Sequence, residues 1–542
     1  MSLPPWTLFV ACLVVPAIHA DSVDAQLERG AKIYTEKCLM CHQPNGGGAP
    51  PVYPPLAGSD WLQADRARAI RVLCEGLSGP ITVKGIRYLN NMPAQVLDDQ
   101  QAADVLTFVG ASWENRMPPF TAAEVAAART ASKFPTFQAL VKAAEYQPLP
   151  KPIPGWKLSE FARLPEFCSR LISNGTPQGI YALGNSGTIF HIDAGAAVPV
   201  IRKEEYLSGD ISTMGATFDP QGRLLVVSNR THRTGQQPFE NEVVLWRSTG
   251  SQNGHPTGLK PWLVTGYNKG GGKFNHGVSH IAFGPDGKLY VNSGSRTDAG
   301  EDSTDPAYLG GGERENTACI WRIDPTAPQP SVEIYARGIR NAYGFAWDAD
   351  GNLFTVSNGP DYSAPEEMDW IRPGNHYGFP FQFSDWPQKK GFPYPFTPDP
   401  PAGVAFTLPL LNLGPAGGGS PQKPMATFDP HSSPCGMLWC GPQYPEPLRN
   451  CFLLTRSGNL LGPPACPEDV GFDLLRLKMH RQDPDTWTVE TTVIAAPLGR
   501  PVDVIAAGGN RLLILEYTRA TNFKDNTGWL PGRVLELAPD SP

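Results

Sequence analysis

Three stretches of this chain form a weak internal repeat. FDPQGRLLVVSN covers residues 218–229, FGPDGKLYVNSG covers 283–294 and WDADGNLFTVSN covers 347–358. Each is an apolar residue, a tight Asp/Gly turn and then an alternating strand. The turn glycines Gly222, Gly287 and Gly351 stand 65 and then 64 residues apart. A hairpin that recurs at a fixed period cannot bury its apolar face alone and must stack on its neighbours. Radial stacking of such hairpins gives a β-propeller. Weaker echoes are GNSGTIFHID at 184–193 and AAGGNRLLILEY at 506–517. The β-rich texture runs from residue 156 to about 540, which at this period allows about six blades. The period exceeds that of WD-type blades, so long loops are expected, and loops on one face of a rigid scaffold are where sites gather.

Composition agrees with turns rather than helices: 56 glycines and 57 prolines make up about a fifth of the 542 residues. That length is too great for one ordinary core, so more than one domain is expected. A net charge of −7 argues against nucleic acid as a partner.

The first fifth of the chain has a different texture. CLMCH at Cys38 to His42 is the attachment signature of c-type haem: two thiols that add to the haem vinyl groups, and a histidine beside them that ligates the iron. Ala25 to Lys37 has helical periodicity leading into this motif, and Asp98 to Val109 reads as a second helix opened by acidic residues. Residues 44–58 are loop. A helix-like stretch, Ala122 to Lys133, precedes the stiff joint QPLPKPIPG. The expected fold is therefore mainly β: a six-bladed β-propeller over 156–540, preceded by a small all-α cytochrome c domain over 24–112 and a linker with a short helix over 113–155. His42 is the expected proximal axial ligand of the iron. For the other side, Met92 in NNMPA is the first choice, because an MPA loop followed by a helix resembles the ending of small class I cytochromes c. Met117 in NRMPP is second. A thioether ligand raises the haem potential.

Residues 1–20 read as an export leader, with an apolar run from Trp6 to Ile18 and the small Ala20 before Asp21. The first five residues carry no Lys or Arg, so an uncleaved anchor or a buried start is the alternative, and a lipid attachment through Cys12 fits poorly. No later segment is apolar and long enough to span a bilayer. Export to the periplasm also matches haem c. Of ten cysteines, Cys12 leaves with the leader and Cys38 and Cys41 go to haem. Cys74, Cys168, Cys319, Cys435, Cys440, Cys451 and Cys466 remain. The last four lie close enough for one or two bridges, with the pairing open and an odd thiol left over.

Three propeller stretches carry more than the repeat: FNHGVSHIAFGPDG at 274–287, ARGIRNAYGFAWD at 336–348 and SNGPDYSAPEEMDWIRPGNHYGFP at 357–380. In this order they resemble the soluble glucose and sorbosone dehydrogenase family, six-bladed propellers that use pyrroloquinoline quinone (PQQ) with calcium. The resemblance covers 275–380 well and the rest loosely. It implies that His276 is the catalytic base, that Arg340 and Asn341 contact quinone and substrate, and that the carbonyls of Gly359 and Pro360 ligate the calcium. More loosely, it implies that Arg456, in LLTRSGN, contacts the cofactor. Ala342 stands where the family has proline, Asn358 where it often has Gln or His, and no counterpart of the family's cofactor lysine is found. These departures bear on the substrate more than on the cofactor class.

The residue types suit that chemistry in their own right. Oxidising an alcohol or hemiacetal removes a proton from oxygen and a hydride from carbon. Histidine is the natural base. Arginine binds carboxylates bidentately and steadies negative charge on oxygen. Calcium accepts carbonyl oxygens. His280 brings a second imidazole near His276 as a candidate supporting group, His376 reads as a turn residue, and Glu366 and Glu367 read as a solvated loop. The expectation is an exported quinohaemoprotein dehydrogenase. It oxidises a sugar or related alcohol with PQQ and Ca2+ and passes electrons through its own haem to an external acceptor such as a cytochrome or respiratory component. Two rivals are a propeller that binds a protein partner without quinone chemistry, and a metal-dependent lactonase using acids such as Asp210, Asp298 and Asp361.

Overall fold

The computed structural model describes residues 22–48, 53–77, 81–88, 92, 94–95, 97–131, 145–208, 211–232, 239–270, 275–303, 308, 310–360, 364–384, 399–418, 427–459, 468–523, 525, 527–528 and 530–540. The expected leader, Asp210, Asp361 and Cys466 lie outside them. The chain forms two compact units, Met1–Lys142 and Ala143–Pro542.

The first unit is helical. The helix Val23–Ile33 is capped by Ser22, whose hydroxyl accepts from the Ala25 amide. Its last turn widens into a π-helical turn, Tyr34–Cys38, before the short helix Leu39–His42. The helix Asp99–Ala111 begins in a capping box between Asp98 and Gln101. These two long helices cross at Gly30: a Cβ there would lie 2.2 Å from the Asp104 carbonyl oxygen, so only glycine permits the approach. Tyr34, Phe108 and Trp113 pack ring against ring beside the crossing. The helix Ala122–Ala131 folds back on this unit, with Val125 fully buried and Arg66 paired to Glu124.

The second unit is a six-bladed propeller of antiparallel sheets. The blades open with the strands Cys168–Ser173, Ile211–Phe218, Val278–Phe283, Gly344–Trp347, Pro434–Cys440 and Pro501–Ala506. Leu411–Pro415 adds a parallel edge strand to the fifth blade. The ring closes where the C-terminal strand Arg533–Pro539 pairs with Trp156–Arg163, from Arg533 opposite Arg163 to Pro539 opposite Trp156. The sixth blade therefore needs both ends of the unit.

The three repeat copies are the first hairpins of the second, third and fourth blades. Their turn glycines have φ of 76°, 73° and 81°, a left-handed conformation that favours glycine. The echo at 506–517 occupies the same place in the sixth blade, whereas the echo at 184–193 sits one hairpin later in the first blade.

Arg170 bolts the axis. It is 1% exposed, its Nε donates to the Met214 carbonyl at 3.0 Å, and its guanidinium lies 3.9 Å over the Tyr343 ring. It also donates to the Tyr343 carbonyl and pairs with Asp503 at 3.7 Å. Asp503 in turn accepts the Leu171 amide at 2.9 Å. One side chain thus joins the first, second and sixth blades and the lead-in to the fourth.

Candidate functional site

In the helical unit Cys38, Cys41, His42 and Met92 line one cleft, whose empty volume, mouth included, is about 1190 Å³. The rest of the wall is largely apolar, with Leu56, Leu73, Val83, Val105, Leu106 and Val109 among its residues. His42 is buried, and its Nδ1–H donates to the Pro54 carbonyl at 3.0 Å. That bond fixes the tautomer and leaves the lone pair on Nε2, the nitrogen a metal ion would use. Burial lowers the imidazole's proton affinity, so it stays neutral, as an iron ligand must. Burial likewise pushes the Cys38 thiol up to about 11. Met92 is held by paired backbone bonds with Leu77, at 2.8 and 2.9 Å. Met117 does not line the cleft; its Cβ packs instead against Gly110. The donor set and the apolar walls fit a haem.

In the propeller, the loop before the third blade carries His276. Its Nδ1 lies 3.0 Å from Ser295 Oγ, and that hydroxyl donates its single proton to the Thr297 carbonyl at 2.7 Å. Ser295 must therefore accept, Nδ1 carries the imidazole proton, and Nε2 carries the lone pair. Burial, helped by the nearby Arg340 charge, holds His276 well below the usual imidazole range.

Ser295 also joins His276 to the next segment, because its amide donates to the Arg340 carbonyl at 2.7 Å. Arg340 is buried and ion-paired with Asp298 at 2.5 Å. Its Nε donates to the Asp298 carbonyl at 2.9 Å and its other arm to the Asn358 carbonyl at 3.0 Å. The Asn358 side chain, at one of the positions departing from the family pattern, donates to the Pro434 carbonyl at 2.9 Å and so reaches the fifth blade. Asn341 is tied down through its backbone, its amide donating to Ser357 Oγ at 3.1 Å. The neighbouring Ala342 is fully buried among apolar side chains.

Gly359 donates its amide to Glu366 at 2.7 Å. A Cβ on Gly359 would stand 3.0 Å from the carbonyl oxygens of both Ala364 and Pro365. The carbonyl oxygens of Ala364 and Pro365 thus stand against Gly359, hard donors of the kind calcium takes. Glu366 is not the solvated loop residue expected from sequence. It opens the strand Glu366–Ile371, is 3% exposed, and burial pushes it up to about 7. The local run of Pro and acids reads as loop, but the blade closes over it. Glu367 is likewise engaged, accepting the Ser384 amide.

Arg456 is committed to two acids: its guanidinium grips Asp473 at 2.9 and 2.6 Å and meets Asp429 at 3.3 Å. Arg500, which sequence reasoning passed over, stands close by. It donates to the carbonyls of Ser457, Gly458 and Asn459, at 3.4, 3.2 and 2.8 Å, and lies over the Phe472 ring. Burial lowers it to about 10. With its guanidinium donating to neutral carbonyls, it suits a carboxylate ligand better than Arg456 does. The one signal available was its place in GRPVDV, immediately before a blade-opening strand.

A continuous hydrogen-bonded chain therefore runs from His276 through Ser295, Arg340 and Asn358 to the fifth blade. A second joins Gly359 through Glu366, Ser433 and Ser457 to Arg500. His280 is apart from both, packed edge-on to Phe345 at 4.3 Å with Arg170 as its charged neighbour. His376 accepts the Gly378 amide at 3.1 Å and packs on Phe381 and Phe406, a turn role. Among the described residues no cluster of three or more His, Cys, Asp or Glu side chains could hold a metal ion.

Two family models match the chain: Cytochrome c over residues 27–113 and Glucose/Sorbosone dehydrogenase over residues 218–389. Over 106 residues the chain is 42% identical to a cytochrome c-552 of Thermus thermophilus, covering 18% of this chain and 80% of that protein. It is 33% identical over 104 residues to the cytochrome c subunit of a quinone alcohol dehydrogenase of Gluconacetobacter polyoxogenes, covering 21% of that subunit. Among solved structures, the PQQ-bound aldose sugar dehydrogenase of Streptomyces coelicolor is similar at 18% identity and a TM-score of 0.44, covering 71% of this chain and 99% of that one. The PQQ domain of Coprinopsis cinerea pyranose dehydrogenase is similar at 14% identity and a TM-score of 0.49, covering 73% and 97%. The two family matches describe a haem-linked oxidoreductase, with haem c in the helical unit and a PQQ-type dehydrogenase propeller in the other. The chain belongs to the cytochrome c family through residues 27–113, and its residues 218–389 match the Glucose/Sorbosone dehydrogenase family model.

Proposed function

We propose that this protein is an exported dehydrogenase that oxidises a sugar, or a related alcohol, in its propeller and delivers the electrons through its own haem to an external acceptor. The observation that carries the reading is the Ser295 bridge. It hands His276 a fixed tautomer and ties it to Arg340, which is what a general base beside an electrophilic clamp requires.

PQQ, when bound with calcium, supplies a two-electron acceptor, and the haem supplies a one-electron carrier. The chain's own residues do the rest. His276 Nε2 takes the proton from the substrate hydroxyl, and Ser295 Oγ steadies the imidazolium through Nδ1. Arg340, held on two sides by Asp298 and Asn358, would offer its remaining N–H groups to the cofactor. The carbonyls of Gly359 and Pro360 would hold the calcium, with Glu366 fixing the Gly359 amide behind them. Asn341 would face the substrate, and Arg500, with Arg456 behind it, would meet the cofactor's carboxylates. His42 and Met92 would hold the iron from its two sides, with Cys38 and Cys41 bonded to the porphyrin. The segment 113–155 would join the cytochrome domain at 24–112 to the propeller at 156–540, with its helix Ala122–Ala131 packed on the helical unit. Tethering keeps the electron acceptor at high effective concentration.

The test follows the haem absorbance band. Oxidised, haem-loaded protein is mixed with a panel of aldoses, with and without PQQ and calcium. Haem reduction only when sugar, PQQ and calcium are all present is the expected result. No reduction by any sugar, alcohol or aldehyde, with no PQQ binding by calorimetry, would overturn the reading.

A further inference from the structure

We propose that Cys440 and Cys451 are joined by a disulfide that staples the first hairpin of the fifth blade. The two residues are directly opposed in the antiparallel ladder between Pro434–Cys440 and Cys451–Arg456. Directly opposed residues in such a ladder have Cα atoms about 4.5 to 5.5 Å apart, within the roughly 4.4–6.8 Å that a disulfide spans. The thiols lie within hydrogen-bonding reach of each other, and Cys451 Sγ also donates to the Leu448 carbonyl at 3.3 Å.

No other described cysteine competes for either partner. Cys440 and Cys451 share one apolar cluster with Tyr444 and Leu448. Cys168 and Cys435 belong to a second cluster and Cys319 to a third. Cys435 Sγ is turned to the Ser433 carbonyl at 3.3 Å.

The pair closes the turn 441–450 at the end of the hairpin opposite to Pro434 and Arg456. A one-residue slip of this ladder would turn Arg456 to the other face of the sheet. The bridge fixes the register that sets Arg456 opposite Pro434. Both cysteines are essentially sealed from solvent, at 0% and 1% exposure, so the bond is structural rather than a redox switch.

In forming it, two S–H bonds break and one S–S bond forms. Two protons and two electrons pass to a disulfide-bearing thiol oxidant of the exporting compartment, whose S–S bond breaks to give its dithiol.

The inference rests on the export reading, and the experiment separates the two. Cells producing the full-length protein are fractionated, and each fraction is denatured in alkylating reagent without reductant and then mapped by mass spectrometry. In protein from the exported fraction, the expected result is a peptide linking Cys440 to Cys451, lighter by two hydrogens than the dithiol pair, with both cysteines labelled only after reduction. Both cysteines labelled before reduction in that fraction overturns the disulfide. Protein confined to the cytosolic fraction overturns export instead. That protein is then incubated with oxidised glutathione: formation of the Cys440–Cys451 link supports the pairing, and its absence overturns it.

Discussion

Ser295 Oγ stands 3.0 Å from His276 Nδ1 and 2.7 Å from the Thr297 carbonyl, so the single hydroxyl proton decides which way the imidazole faces the reaction. Replacing His276 by Asn is expected to lower turnover by about 10²- to 10⁴-fold, the usual worth of a general base, while PQQ still binds by calorimetry. Ser295→Ala should cost on the order of 10- to 100-fold, because the base remains but its tautomer is no longer held. Unchanged haem reduction by the His276→Asn protein would remove the base assignment.

The same histidine sets a pH signature. Burial first, and Arg340 second, lower its proton affinity in the folded state. It therefore stays neutral as pH falls through the ordinary imidazole range, and the rate should show no inflection near pH 6.5. In the unfolded chain the ring takes a proton at about 6.5. Its contribution to stability is thus present above that pH and lost as pH falls below it. Urea unfolding of wild type and His276→Asn across this window checks the sign: the wild-type curve should drop more steeply on the acid side.

Arg340 makes three directed bonds, to the Asp298 carboxylate, the Asp298 carbonyl and the Asn358 carbonyl. A lysine ammonium cannot span all three. Arg340→Lys should weaken PQQ binding on the order of 10-fold by calorimetry, with the haem spectrum unaltered. Equal affinities would show that Arg340 serves the fold alone.

Met92 and Met117 are separated by one spectroscopic comparison. Met92 lines the haem cleft and Met117 packs on Gly110. Met92→Ala should abolish the weak sulfur–iron charge-transfer band and lower the haem potential. Met117→Leu should leave both in place. The reverse result would exchange the two assignments.

The axial bolt makes a prediction about stability. Arg170→Ala leaves Asp503 buried without its cation, a loss of about 3–5 kcal/mol. Measured by urea unfolding of the full chain, the double change Arg170→Met with Asp503→Leu should recover part of it. If Arg170→Ala is neutral, the axis is held by packing instead.

The periodic hairpins and the CLMCH run fix the two fold classes because both are local. A turn glycine 64 or 65 residues after the last one, or two cysteines beside a histidine, needs no partner elsewhere to be read. The segments around His276, Arg340 and Gly359 were legible for the same reason, as short motifs in a set order. The helix crossing at Gly30 and the commitment of Arg456 to Asp473 were not, because each depends on a residue distant in sequence. Glu366 was misread as solvated because its neighbours are Pro365 and Glu367, and only the closing blade makes it buried. Arg500 was missed because its partners are backbone carbonyls, which leave no trace in residue identity. What the chain order determined alone is which elements form and which chemistry they carry. The tertiary structure decided which charges are neutralised, which tautomer His276 holds and which methionine lines the cleft, since burial and hydrogen-bond direction exist only once distant segments meet.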